Sequence, residues 1–295
     1  MQLFLEQLIN GLALGSLYAL FGLGFGIVFS TLGILNAAHG TYASWAAIIG
    51  LAAVERLNLP FVPALLAGIF GGGLLALVVD QIAFQPLRRR GGGMISALIT
   101  SIAAWIILDS LAGTATGHES LSFPRGSYPD TMFYLGSIPL PAMQIITVAS
   151  MLAVTISLHL LVHRSRFGAA MRAVGWNQTA ASLGGVNPRH VVVITAFLAG
   201  ATSGFAGVLG GISTHNVSFS LGECLMLKGF AAVVVGGYDD VRGTAVAGVA
   251  LGVLEVMTAQ YLSSGLRDGI TYALLLGFLL LRPRGLFGSA GFSRA

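Results

Sequence analysis

Asp109, Lys228 and Glu255 are ionisable side chains set within apolar runs of this chain. An ion in hydrocarbon is costly, so residues of this kind face a cavity, a partner or a polar path. Lys228, the only lysine, has two uses open to it. It meets a carboxylate, that of a solute or of Glu223, or it lifts its ammonium to the outer interface along its own alkyl stem. Asp109 reads as a paired structural residue. Asn36 and His39 interrupt the chain between the first two apolar runs, in a stretch free of Arg and Lys. They either line an inner mouth of a pathway or satisfy loop backbone groups. Catalysis finds little support. His159 and His163 share a helix face, but no Cys, Asp or Glu stands near them to complete a metal ligand set. Lys228 follows Leu227, so the Gly-Lys-Ser/Thr of a phosphate-binding loop does not occur and ATP cannot bind in that way. Ser16, Ser30 and Ser44 lie in apolar context and read as helix-packing residues. The expectation is a chain that is not an enzyme and carries no metal or cofactor.

A second group of residues points to a partner rather than to chemistry. Between two apolar runs lies a polar loop, Arg166 to Arg189. Gly168 to Val174 can form a short helix, broken at Gly175. Asn177 is suited to cap a second one through Leu183, which Gly184-Gly185 would stop. Asn187-Pro188 then starts the next run, with Asn as the cap and Pro in the first helical position. A loop punctuated this closely has a fixed shape. Its surface is small and mostly uncharged: Ala173, Ala180, Ala181 and Leu183, with Arg172 beside them.

The elements that hold these residues follow from composition. The 295 residues are 55% hydrophobic and 9% charged, against about 25% charged in soluble domains. Forty-one glycines suit helices packed closely in a bilayer. The net charge of +4 fits basic cytoplasmic loops, and no basic-aromatic cluster suggests nucleic acid. Cys224 is the only cysteine, so no intrachain disulfide can form. Met1 to Glu6 carries no positive charge, so the first span is expected to serve as its own, retained insertion signal. With about 20 apolar residues per span, spans fall at 8–29, 41–57, 61–84, 94–115, 140–162 and 190–214. Then the pattern shortens, to 225–236, 246–262 and 270–281, with breaks at Gly236-Gly237 and Gly243. Short, glycine-interrupted segments point to discontinuous helices near a path. The predicted fold is all-α: a polytopic transmembrane bundle of about eight or nine spans, one domain over 1–295. Arg88–Arg90, Arg164, Arg166, Arg172, Arg189, Arg282, Arg284 and Arg294 fall on one side, which the positive-inside rule makes cytoplasmic. The N-terminus is then periplasmic and the C-terminus cytoplasmic. Thr116 to Pro139, with three prolines, is the longest outer loop; it is either part of an external docking surface or a passive connector.

Gly168-Ala-Ala-Met-Arg-Ala173, then Ala180-Ala181, then Gly185-Val-Asn187, resembles the cytoplasmic coupling loop of ABC importer permeases, in particular the branched-chain amino acid permease family of LivH type. Four more segments agree: Gly11 to Gly40, with Asn36-Ala-Ala-His39-Gly40; Ala83-Phe-Gln-Pro-Leu-Arg88; Leu227-Lys-Gly-Phe230 through Gly237, with Gly243 and Glu255; and Arg282-Pro-Arg-Gly-Leu-Phe-Gly288. Two positions depart from the family pattern: Ala37, where Phe is usual, and Ala169, where Arg is usual. Loss of a ring at 37 removes volume and a stacking surface, which leaves the solute open. The resemblance implies a subunit of a bacterial inner-membrane importer. Its partners would be a second permease in a heterodimer, two ATP-binding subunits that use ATP and Mg, a periplasmic solute-binding protein, and membrane lipid. The ATPases would grip Gly168, Arg172, Ala173, Ala180, Ala181 and Gly185. Asn36, His39 and Lys228 are the pathway candidates. Branched-chain amino acids are the expected cargo; urea, short amides or another small carboxylate stay open, as does a standalone secondary transporter or channel.

Overall fold

A computed structural model describes residues 2–282 and 285–288; Arg284 and Arg294, counted above for orientation, lie outside the described residues, as does Pro283 of the last motif. The order is α1 (Gln2–Leu32), α2 (His39–Leu57), α3 (Phe61–Val79), a π-helical turn (Asp80–Phe84), α4 (Gln85–Arg89), α5 (Met94–Thr116), β1 (Met132–Leu135), β2 (Ile138–Pro141), α6 (Ala142–Arg164), α7 (Arg166–Trp176), α8 (Gln178–Leu183), α9 (Pro188–Ser213), α10 (Leu221–Gly236), α11 (Val241–Tyr261), a 3-10 turn (Ser264–Leu266) and α12 (Arg267–Leu281). Seven helical stretches are long and apolar enough to cross a membrane. Two helices, α2 and α10, are not among them, though both lie within the bundle.

α1, α2, α9, α10 and α11 form the packed centre, and small residues let their backbones meet. Gly40 of α2 abuts Gly222 of α10, and Gly15 of α1 abuts Gly252 of α11, so closely that a Cβ at Gly222 would enter the Gly40 carbonyl. Without a hydrophobic drive between helices in lipid, such close packing is what holds a bundle together. α5, α6 and α12 lie outside this centre and expose most of their apolar surface, including Ile95, Leu280 and Leu281.

Two expectations need correction, and one loop carries structure that was not foreseen. Gly243 does not break a helix: the Asp240 side chain caps α11 by accepting from Arg242 N and Gly243 N, so α11 begins earlier and runs its full length. The third run does not continue as plain α-helix to Phe84. Pro86 has no N–H to give Ile82 and crowds its carbonyl, and a π turn takes up the mismatch. There Asp80 receives both Nη groups of Arg88, at 2.8 and 2.9 Å. The outer loop holds a β-hairpin, β1 pairing with β2 across Gly136-Ser137. Its prolines fall at 139 and 141, on a strand with one edge unpaired, where a missing N–H is tolerated.

Candidate functional site

Two candidate sites lie at opposite ends of the bundle. At one end, α7 and α8 connect α6 to α9. Ser165 caps α7, accepting from Gly168 N at 2.9 Å while donating to the Leu161 carbonyl at 2.6 Å. Gly168 lies against the carbonyls of Leu161 and Val162 with no room for a side chain. Arg172 donates from Nη1 to the Val162 carbonyl. Its guanidinium therefore satisfies the C-terminal end of α6, a task beyond the predicted surface role. Gly175 does not break α7. It lies inside the helix, 2.8 Å from the Ser30 carbonyl where a Cβ would stand, so it is a contact with α1.

α7 ends at Asn177, which caps α8 by accepting from Thr179 N and Ala180 N. α8 closes with Val186 N to the Ala181 carbonyl and Gly185 N to the Ser182 carbonyl, Gly185 taking φ +83. This pair of bonds is the Schellman stop. Asn187 then caps α9 over Arg189 N and His190 N, with Pro188 first in the helix. Of the predicted surface, Ala180 is exposed and Leu183 is 86% exposed, whereas Ala181 is buried and Ala173 half-buried. Trp176 is exposed beside them, a feature the sequence reading missed although a polar loop carrying one indole is a visible signal.

Asn36 and His39 do not reach a cavity described here. Asn36 accepts from Ala38 N and donates to the Tyr42 hydroxyl. His39 is 1% exposed, with its ring edge-on to Phe21, Phe25 and Tyr42. Both organise the turn into α2. Ala37 N receives no bulk from its own side chain but is tied to Ser101 Oγ of α5 at 3.1 Å.

The third pathway candidate behaves differently. Lys228 Nζ lies 2.7 Å from Glu255 Oε1, 2.9 Å from Asp268 Oδ1 and 3.2 Å from the Tyr18 hydroxyl. Arg267 also pairs with Glu255 Oε1. Glu223 is not among these partners: five residues away on one helix, it points elsewhere. α10, α11 and α12 thus meet through two cations and two carboxylates, and α1 joins them through the Tyr18 hydroxyl. Glu255 is wholly buried, with Oε2 lacking a hydrogen-bond partner among the described residues. A cavity of about 210 Å³ opens on this cluster, lined by the polar Tyr18, Lys228, Arg267 and Asp268 and by the apolar Leu14, Leu17, Leu221 and Leu225. A neighbouring cavity of about 350 Å³ shares Leu14, Leu17 and Thr214 with it and reaches Tyr128 and Asp130 of the outer segment.

The remaining candidates carry no such arrangement. His159 and His163 stack at 4.4 Å, and His163 Nδ1 faces the His159 carbonyl at 3.2 Å. Asp109 has His118 as an electrostatic neighbour, while its buried Oδ1 has no hydrogen-bond partner among the described residues.

A helical bundle with seven stretches long and apolar enough to cross a membrane, a closely capped two-helix loop at its arginine-rich end and a charged cavity toward the other has the make-up of a multi-pass membrane protein. A family model described as branched-chain amino acid transport system / permease component matches residues 7–281. The chain belongs to this family of permease components. It is 28% identical to the high-affinity branched-chain amino acid transport system permease protein BraD of Pseudomonas aeruginosa, over 97% of this chain and 96% of the relative. It is 30% identical to the corresponding permease protein LivH of Escherichia coli strain K12, again over 97% and 96%. A ribose import permease protein, RbsC of Bacillus subtilis, is 28% identical over 66% of this chain and 62% of its own length. Among solved structures the chain is similar to an inward-facing, metal-chelate type ABC transporter, with a TM-score of 0.54 and 17% identity over 94% of this chain and 87% of that one. At that identity the likeness is one of fold.

Proposed function

We propose that residues 1–295 form one transmembrane permease domain of an ABC importer that carries branched-chain amino acids across a bacterial inner membrane. The observation that carries this reading is the α7–α8 loop. It is capped at each helix start, locked to α6 through Gly168 and Arg172, and presents Trp176, Ala180 and Leu183 outward. A loop of fixed shape with an uncharged exposed face is a handle for a partner. Two ATP-binding subunits, which bind ATP and Mg, would dock there and push the loop as they close. The bundle then switches between two packings biased by the partners' nucleotide state. A second permease would complete the pathway as a heterodimer, and a periplasmic solute-binding protein would deliver cargo to the hairpin end.

The cargo is taken from the relatives BraD and LivH, permease proteins of high-affinity branched-chain amino acid transport systems. The test is reconstitution. Leucine uptake into proteoliposomes should require this chain, its partner permease, the ATPases and enclosed ATP together, with the binding protein outside. Accumulation of solute by the isolated chain without nucleotide would overturn the importer reading. Uptake of urea, an amide or a sugar in place of leucine would overturn the cargo.

A further inference from the structure

We propose that the cavity at Lys228, Arg267 and Asp268 binds the zwitterionic head of an α-amino acid. This assignment rests on the importer reading and deepens it. Lys228 and Arg267 take the carboxylate, Asp268 takes the ammonium, and Leu14, Leu17, Leu221 and Leu225 receive the aliphatic side chain.

The geometry contains both halves of such a site. Two cations and two carboxylates balance in the empty arrangement, with Lys228 bridging Glu255 at 2.7 Å and Asp268 at 2.9 Å. The two bridges differ in environment. Glu255 is fully buried and is held by Arg267 as well, so it is the fixed member. The Asp268 side chain is 60% exposed and has only Lys228 as an ion-pair partner among the described residues, so it is the exchangeable one. A zwitterion entering between Lys228 and Asp268 gives each a new partner of opposite sign. No ion is left alone in a medium of low dielectric, which is the condition that makes buried charges tolerable. A solute bearing one charge leaves one of the pair without its partner. The site therefore favours a molecule carrying both charges on groups attached to one carbon. Glu255 Oε2, buried and without a hydrogen-bond partner among the described residues, is a further acceptor beside the same lysine. The volume of about 210 Å³ lies below the roughly 300–1,000 Å³ of pockets for drug-sized ligands and suits a single small amino acid. The second cavity, sharing Leu14, Leu17 and Thr214, joins the site to the outer segment.

The chain supplies its own probe. Cys224, its only cysteine, is exposed and lines this cavity. In the assembled importer, with partner cysteines replaced and no nucleotide or binding protein present, modification of Cys224 by methyl methanethiosulfonate is followed by mass spectrometry. Leucine is expected to slow it about tenfold at a concentration roughly ten times its Kd, as mass action requires. 4-Methylpentanoate, which lacks the ammonium, and 3-methylbutylamine, which lacks the carboxylate, should leave the rate unchanged. Asp268→Asn and Lys228→Met should each abolish protection by leucine. A Cys224 that does not react, a rate indifferent to leucine in the unmutated chain, or equal protection by the singly charged analogues overturns the site. Because all three of these are read on the unmutated chain, misfolding of a mutant cannot mask the outcome. ATP-driven leucine uptake measured on the same preparation separates the two levels. Uptake without protection overturns the site alone, and absence of leucine uptake overturns the importer reading beneath it.

Discussion

At Glu255, one carboxylate oxygen accepts from two cations drawn from different helices, and the side chain is wholly shielded. Breaking a buried pair by removing one partner costs about 3–5 kcal/mol, because the other charge stays buried. Glu255→Gln should therefore lower the temperature at which the purified protein loses its monodisperse peak after heating in detergent. Adding Lys228→Met should cost less than the two single losses summed, since the second change removes the ion stranded by the first. Strict additivity would show that the pair does not form. That Lys228 and Glu255 matter was legible, as ions in apolar runs. Their pairing was not, because nothing in local sequence links residues on separate helices, and the nearer acid, Glu223, is on the wrong face of α10. A second residue-scale prediction separates two neighbours that look alike in sequence. Ala180 is exposed and Ala181 buried against α7 and α9. Ala180→Glu should leave the chain folded but reduce co-purification of the ATP-binding subunits. Ala181→Glu should instead reduce the yield of folded protein, as an unpaired charge in an apolar contact does. Identical behaviour of the two variants would sink this placement of α8.

Local chemistry made the helix ends of the α7–α9 segment readable, because caps are decided by the residues themselves. Asn177, Gly184-Gly185 and Asn187-Pro188 each act where their types predict. Gly175 was misread since its role is set from outside, by the Ser30 carbonyl of α1. The hairpin was missed for a similar reason. Met132–Leu135 and Ile138–Pro141 flank a two-residue Gly-Ser turn, a fair hairpin signal, but prolines at 139 and 141 argue against a strand unless it has a free edge. The rigidity of the α7–α8 unit rests on the tight fit of Gly168 to the end of α6. Gly168→Val places branched bulk against the Leu161 and Val162 carbonyls and should lever α7 away. Trypsin cleavage after Arg166 and Arg172 should then be faster than in the unmutated protein, while chromatographic behaviour of the bundle is kept. Unchanged cleavage kinetics would show that the loop holds its shape without this contact.

Across the whole molecule, polar chemistry separates toward the two ends. Arg88 with Asp80, the α7–α8 loop and the Asp240 cap gather at the end where α1 finishes: Gly175 meets Ser30, and the Gln85 side-chain amide lies against the Arg189 guanidinium. The hairpin, the Leu121–Val217 bridge and the Tyr128–His215 contact gather where α1 begins, with Gln2 donating to the Ser137 carbonyl. Arginine density differs between these ends, and from that difference the positive-inside rule predicts an orientation in which the first end faces the cytoplasm. A single substituted cysteine at each end tests it. On a Cys224→Ser background, Ser137→Cys sits in the turn of the hairpin, and Gly93→Cys lies just past the arginine triplet, on extended backbone with no atom close enough to meet a new side chain. A membrane-impermeant maleimide applied to spheroplasts should label Ser137→Cys at once and Gly93→Cys only after the membrane is opened. The reverse order would invert the molecule, placing the proposed handle outside the cell and out of reach of any ATP-hydrolysing partner. Simultaneous labelling of both sites would contradict a sealed, single orientation.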